Sequence, residues 1–228
     1  MVPTLQNLTL ALVLVLAFLL IGWYVWGNEL MRRRGRRLAI WCKRVLDPLG
    51  GKQAVQWTTT QSFRLEVEGM KAPFLRGALT GLVESMDMPL IWLFNRSRGR
   101  RDMILLQLSL RQQPICGMEL YRPGSLLAAD ARKYAVEEGW KETLLDDFRL
   151  ASAAGQGTER IARALLAELA GSRDTLIRLA VRRRGLHLTL SLNVPEESRP
   201  APERFSQTLE RLGRALLRYA TPAPASEP

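Results

Sequence analysis

L-T-L-A-L-V-L-V-L-A-F-L-L-I-G-W-Y-V-W, residues 8–26, contains no charge in nineteen positions, and Thr9 is its only hydroxyl before Tyr24. As a helix it would be roughly 28 Å long, close to the ~30 Å of a bilayer's hydrocarbon. Leu8, Leu12, Leu16, Phe18 and Leu20 supply its apolar body. Trp23, Tyr24 and Trp26 cluster at one end, where amphipathic rings favour the headgroup boundary. Arg32, Arg33, Arg34, Arg36 and Arg37 follow at once. The stretch therefore reads as one membrane-spanning anchor, residues 1–28. A secretory signal would want a basic start and a small-residue cleavage site, but residues 1–7 carry no Lys or Arg and the segment ends in Trp26-Gly27-Asn28. A core helix would want a polar face. Arginine-rich short flanks stay cytoplasmic, which places the short N-terminus outside and the rest inside an inner or plasma membrane. One span alone builds no pore.

Charge is distributed to match. Of the net +11, residues 29–52 hold +6, with eight basic side chains against Glu29 and Asp47. This concentration beside the anchor points to a lipid surface before nucleic acid. Residues 29–52 form a basic juxtamembrane helix, ending at Asp47-Pro48 and Gly50-Gly51. Leu38, Trp41, Cys42 and Val45 make its apolar face, which either lies in the interface or packs on the domain. Cys42 and Cys116 fit no metal or redox spacing and read as reduced thiols, with palmitoylation of Cys42 a second reading.

The rest of the chain reads as an α+β domain with a mainly antiparallel sheet and a duplicated β-α-β-β(-α) unit. Phe63-Arg64-Leu65 recurs as Phe148-Arg149-Leu150, each opening an alternating strand. A helix is expected after each. Phe74, Leu75, Ala78, Leu79, Leu82, Val83 and Met86 would line the first, behind Pro73; Ile161, Leu165, Leu166 and Leu169 the second, capped by Thr158. Strands at 89–94 and 175–180 then turn into partners at 105–110 and 188–192. Helices at 125–138 and 202–220 close the repeats, which span 53–139 and 140–221, leaving a disordered tail at 222–228. This element order resembles duplicated β-α-β-β domains, the arrangement of bacterial effector-binding and SOUL-type haem-binding proteins. The resemblance implies a small apolar ligand but carries no motif, so no site residue follows from it.

No catalytic constellation is visible. His187 is the only histidine, flanked by leucines as a satisfied strand residue would be. No serine has a nucleophile setting. Gly155-Gln156-Gly157 lacks the rest of a phosphate loop, reading as a plain turn rather than an anion site. Neither Glu137-Glu138 nor Asp146-Asp147 can converge as a carboxylate dyad from adjacent strand positions. No metal or cofactor is expected. What recurs is positive charge at two expected hairpin tips: Arg96, Arg98, Arg100 and Arg101, and Arg182, Arg183 and Arg184, echoing Arg32-Arg33-Arg34. These read as solvated turns or as contacts to anionic lipid headgroups, both tips then facing one bilayer. The expected function is a non-enzymatic, single-pass membrane-anchored module with a protein partner. The alternatives are a sensor of small apolar ligands or, less favoured for want of aromatic-basic interleaving, a nucleic-acid-binding membrane protein.

Overall fold

The computed structural model describes residues 5–86, 88–153 and 156–219, so the expected tail lies outside the described residues. Helix α1, Leu5–Leu46, is continuous through both the apolar segment and the basic stretch, with no break between anchor and juxtamembrane helix. Its two halves meet different surroundings. Leu8, Leu12, Leu16, Phe18, Leu20, Tyr24 and Trp26 are all exposed, and the apolar window is long enough to cross a membrane with none of it buried in the chain. In the second half Met31, Leu38, Trp41, Cys42, Val45 and Leu46 are buried. The apolar face of residues 38–45 thus packs on the domain rather than lying free.

Among the described residues, nine antiparallel strands form one sheet. They are β1 Lys52–Trp57, β2 Ser62–Glu68, β3 Phe74–Leu82, β4 Met103–Leu110, β5 Met118–Tyr121, β6 Lys141–Leu145, β7 Phe148–Ser152, β8 Leu176–Val181 and β9 Leu188–Asn193. Their order is β1-β2-β3-β4-β9-β8-β5-β7-β6. The remaining helices are α2 Pro89–Ser97, α3 Ala128–Glu137, α4 Gln156–Glu168 and α5 Pro202–Leu217. The buried half of α1 joins α4 and α5 over one sheet face, where Leu106, Leu108, Leu190 and Leu192 meet Phe205, Leu209 and Leu212. On the opposite face α3 rests on β5 and β7, with Ala131 and Ala135 buried. Trp41 fastens α1 to the start of α5: its Nε1 donates to the Pro200 carbonyl at 2.8 Å and its ring lies 5.5 Å from Phe205.

The second half follows the expected order after one extra strand: β7, α4, β8, β9, α5. Thr158 falls inside α4 instead of capping it. The first half holds that order at other residues than expected. Residues 74–82, expected as a helix, are strand β3, and residues 89–94, expected as a strand, lie in α2. The first segment runs β1-β2-β3-α2-β4-β5-α3, so its β-α-β-β-α order opens at Phe74 on β3 and not at Phe63 on β2, and the pairing of Phe63-Arg64-Leu65 with Phe148-Arg149-Leu150 does not align the two halves.

The glycines of β3 explain the first difference. A Cβ on Gly77 would come 2.6 Å from Leu108, and one on Gly81 would strike the ring of Phe63. Such close approach suits a strand wedged between two neighbours, whereas each glycine weakens a helix interior by about 1 kcal/mol. In α2, Pro89 occupies the first turn, where its missing N–H costs nothing. With β3 and β4 already paired directly, residues 89–97 have no ladder to join.

Candidate binding surfaces at the two ends of the sheet

Strand register separates the arginine clusters. One sheet end carries Leu82, Met103, Asn193 and Leu176; the other carries Phe74, Leu110, Leu188 and Val181. Helix α1 enters at the first end, where Trp23 Nε1 donates to the Met86 carbonyl at 2.9 Å. It leaves at the second, where the Lys71 N–H donates to the Leu49 carbonyl at 2.8 Å. Arg96, Arg98, Arg100 and Arg101 sit at the anchor end, between α2 and β4. Arg182, Arg183 and Arg184 turn β8 into β9 at the far end, one strand length away, roughly 20 Å. The two basic clusters therefore lie at opposite ends of the sheet. They are not both hairpin tips: the first is the end of a helix.

At the anchor end, polar groups tie α1 to the domain. Arg37 pairs with Glu196 at 2.5 Å, and Arg33 with Glu29 at 2.8 Å along the helix. Arg32, Arg33 and Arg36 are exposed; Arg34 is half-buried beside Glu84, Arg96, Arg101 and Asp102. The Glu84 N–H donates to Asp102 at 3.0 Å, while Arg96 approaches the Glu84 carboxylate at 3.6 Å. Burial pushes the Glu84 carboxyl above its usual range, against the pull of Arg96. This cluster is a clasp between elements.

The far end is open. A cleft of about 810 Å³ lies between α3 and the β8–β9 turn, lined by Gly117, Tyr134, Trp140, Arg182, Arg183 and Arg184 among others. One of its arginines, Arg182, is anchored to a buried carboxylate behind the lining. Glu119 on β5 is fully buried and accepts two hydrogen bonds from Arg178 at 2.7 and 2.8 Å, and one from Arg182 at 3.1 Å. Arg182 then lies 3.9 Å over the Tyr134 ring, which meets Trp140 edge-on at 5.5 Å. Gly117 makes room for Trp140, since a Cβ there would come within 2.8 Å of the indole. Arg183 and Arg184 are exposed and have no acidic partner among the described residues. One engaged guanidinium, Arg182, two unengaged ones at the rim, and an aromatic wall suit a flat or acidic group.

The sequence reading found Arg182–184 but not Glu119, Arg178, Tyr134 or Trp140. The one available signal was a single acid inside the apolar strand M-E-L-Y and a single arginine inside L-I-R-L-A-V. Elsewhere the candidates have structural roles. His187 is buried and accepts the Leu110 N–H through Nδ1 at 2.9 Å; burial lowers its pKa. Asp146 and Asp147 form the β6–β7 turn and pair with Arg173. Cys42 is fully buried, which raises its pKa and closes it to acylation. Where β4 meets β9 the core side is filled by Leu106, Leu108, Leu190 and Leu192. Among the described residues no three His, Cys, Asp or Glu side chains gather as a metal would need. Compared with known proteins, the chain matches no family model and no curated sequence.

Proposed function

We propose that the chain is a non-enzymatic, single-pass membrane-anchored module that holds its domain on the cytoplasmic side and presents the far-end cleft to an acidic group of a protein partner. The observation that carries this reading is the pair of unengaged rim arginines, Arg183 and Arg184, beside the Arg182–Tyr134 stack. The anchor supports it. A domain held at the surface by α1 directs its opposite end into the cytosol, which leaves the cleft accessible to large partners. Buried ion pairs specify geometry better than they add stability, and here the Glu119 carboxylate fixes Arg178 and Arg182 in place. Nucleic acid fits less well, because the cationic rim is two residues wide and Glu138 also lines the cleft.

A photocrosslinker at Gln113, inside the cleft, tests the reading in native membranes. A discrete protein adduct that disappears on R183E/R184E is expected. The absence of any adduct, or one indifferent to the charge reversal, would overturn it.

A further inference from the structure

Helix α2 has no place in the core. None of its nine residues is buried, and its large apolar side chains are bare: Leu90 is 80% exposed, Ile91 55%, Leu93 59% and Phe94 54%. At about 100° per residue these four share one side of the helix, while Trp92 points the other way. Trp92 turns toward the protein, with its ring 5.7 Å from Trp23 on α1. Trp23 in turn contacts Trp26 at 5.7 Å. The bare side of α2 therefore continues the bare apolar surface of α1 at the last turn of the apolar segment, before the first arginine. Cations close the stripe: Arg98 lies 4.1 Å over Phe94, and neither Arg98 nor Arg100 has an acidic partner among the described residues.

We infer that α2 is a second membrane contact, lying in the plane of the bilayer surface with Leu90, Ile91, Leu93 and Phe94 among the acyl chains and Arg98 and Arg100 at anionic headgroups. The inference rests on the reading that α1 spans the membrane and adds what that reading lacks, a fixed orientation. One helix alone leaves a domain free to swivel about its axis. A foot joined to α1 through Trp92–Trp23 and through the Trp23–Met86 hydrogen bond holds the sheet at one angle to the membrane. An apolar stripe followed by arginines is the pattern of interfacial helices, and anionic lipid adds about 1 kcal/mol per nearby cation.

The test uses the full chain reconstituted in vesicles of mixed zwitterionic and anionic phospholipid. Nitroxide labels are placed singly at Leu19, Leu90, Phe94 and Leu144 on a C116S background, Cys42 being too buried to react. Collisions with oxygen and with a water-soluble nickel complex report depth. Labels at 90 and 94 should resemble the label at 19, favouring oxygen, while 144 favours nickel; removing the anionic lipid, or R98Q/R100Q, should make 90 and 94 shallower. Aqueous signals at 90 and 94 beside a lipid signal at 19 would overturn the foot and leave the span standing. Shielding of 90 and 94 from both agents would mean a protein cover and would equally overturn it. An aqueous signal at 19 would remove the span and the foot together, and depth indifferent to lipid charge would overturn the headgroup contact.

Discussion

Glu119 and Arg178 face each other across β5 and β8 in a two-pronged ion pair, 2.7 and 2.8 Å long, with side-chain exposures of 0% and 13%. Both are desolvated, and Arg182 supplies a third donor to the same carboxylate. Removing one member of such a pair leaves an uncompensated buried charge, which costs about 3–5 kcal/mol. E119Q should therefore lower unfolding stability by that amount in denaturant titrations of the detergent-solubilised chain. E119L/R178L, which removes both charges, should recover most of the loss. A change of less than ~0.5 kcal/mol in E119Q, as surface substitutions give, would show that the carboxylate is dispensable to the sheet.

G81A should destabilise by about 1–3 kcal/mol, because the new methyl must displace the fully buried Phe63 ring from the neighbouring strand. In an exposed helix the same change would add stability instead, so the sign of the effect distinguishes strand from helix for residues 74–82. F63L/G81A should recover part of the loss by clearing the space.

That distinction marks where the sequence could be read and where it could not. The α+β class, the antiparallel sheet, the long apolar helix and the second-half elements were legible because each had length or period in its favour. Ile161, Leu165, Leu166 and Leu169 stripe α4, and Leu188, Leu190 and Leu192 alternate in β9. Residues 74–86 misled because Leu75, Leu79, Leu82 and Met86 also fall at helical spacing; the deciding facts were the partners of Gly77 and Gly81, which lie far along the chain. The apolar run P-L-I-W-L-F misled in the opposite sense, since a short run does not separate buried strand from exposed helix. The cleft was legible only through its arginines. Glu119, Tyr134 and Trp140 come together solely because β5 inserts between β7 and β8, a pairing with no local signal.

His187 predicts a pH dependence. Its Nδ1 must stay unprotonated to accept the Leu110 N–H, and burial holds its folded pKa below the unfolded value of about 6.5. The unfolded chain then binds more protons between the two values, so stability falls as pH drops through about 6.5. The Tm should decline from about pH 7.5 to about pH 5.5, and H187Q should flatten that slope while its amide oxygen replaces the acceptor. Glu84 has the opposite sign: burial raises its folded pKa above the unfolded value, so its contribution is lost as pH rises through the folded pKa. An unchanged slope in H187Q would assign the pH dependence elsewhere.

Orientation gives the last prediction, and the fold sharpens it. Five arginines follow Trp26 within one continuous helix, and no Lys or Arg precedes Leu8. Carrying residues 32–37 through the bilayer would cost several kcal/mol per charge at the centre, and the positive-inside rule predicts a cytoplasmic basic side. Because α1 continues unbroken into Leu38, Trp41, Cys42 and Val45, all packed on the domain, the whole sheet must stay on that same side. A fluorescent protein fused at the C-terminus should therefore mature and fluoresce, whereas a phosphatase that works only after export should be inactive there. The same phosphatase fused ahead of Met1 should be active. The reverse pattern would overturn the topology; it would put the far-end cleft outside the cell and turn the search for its acidic partner to extracellular proteins.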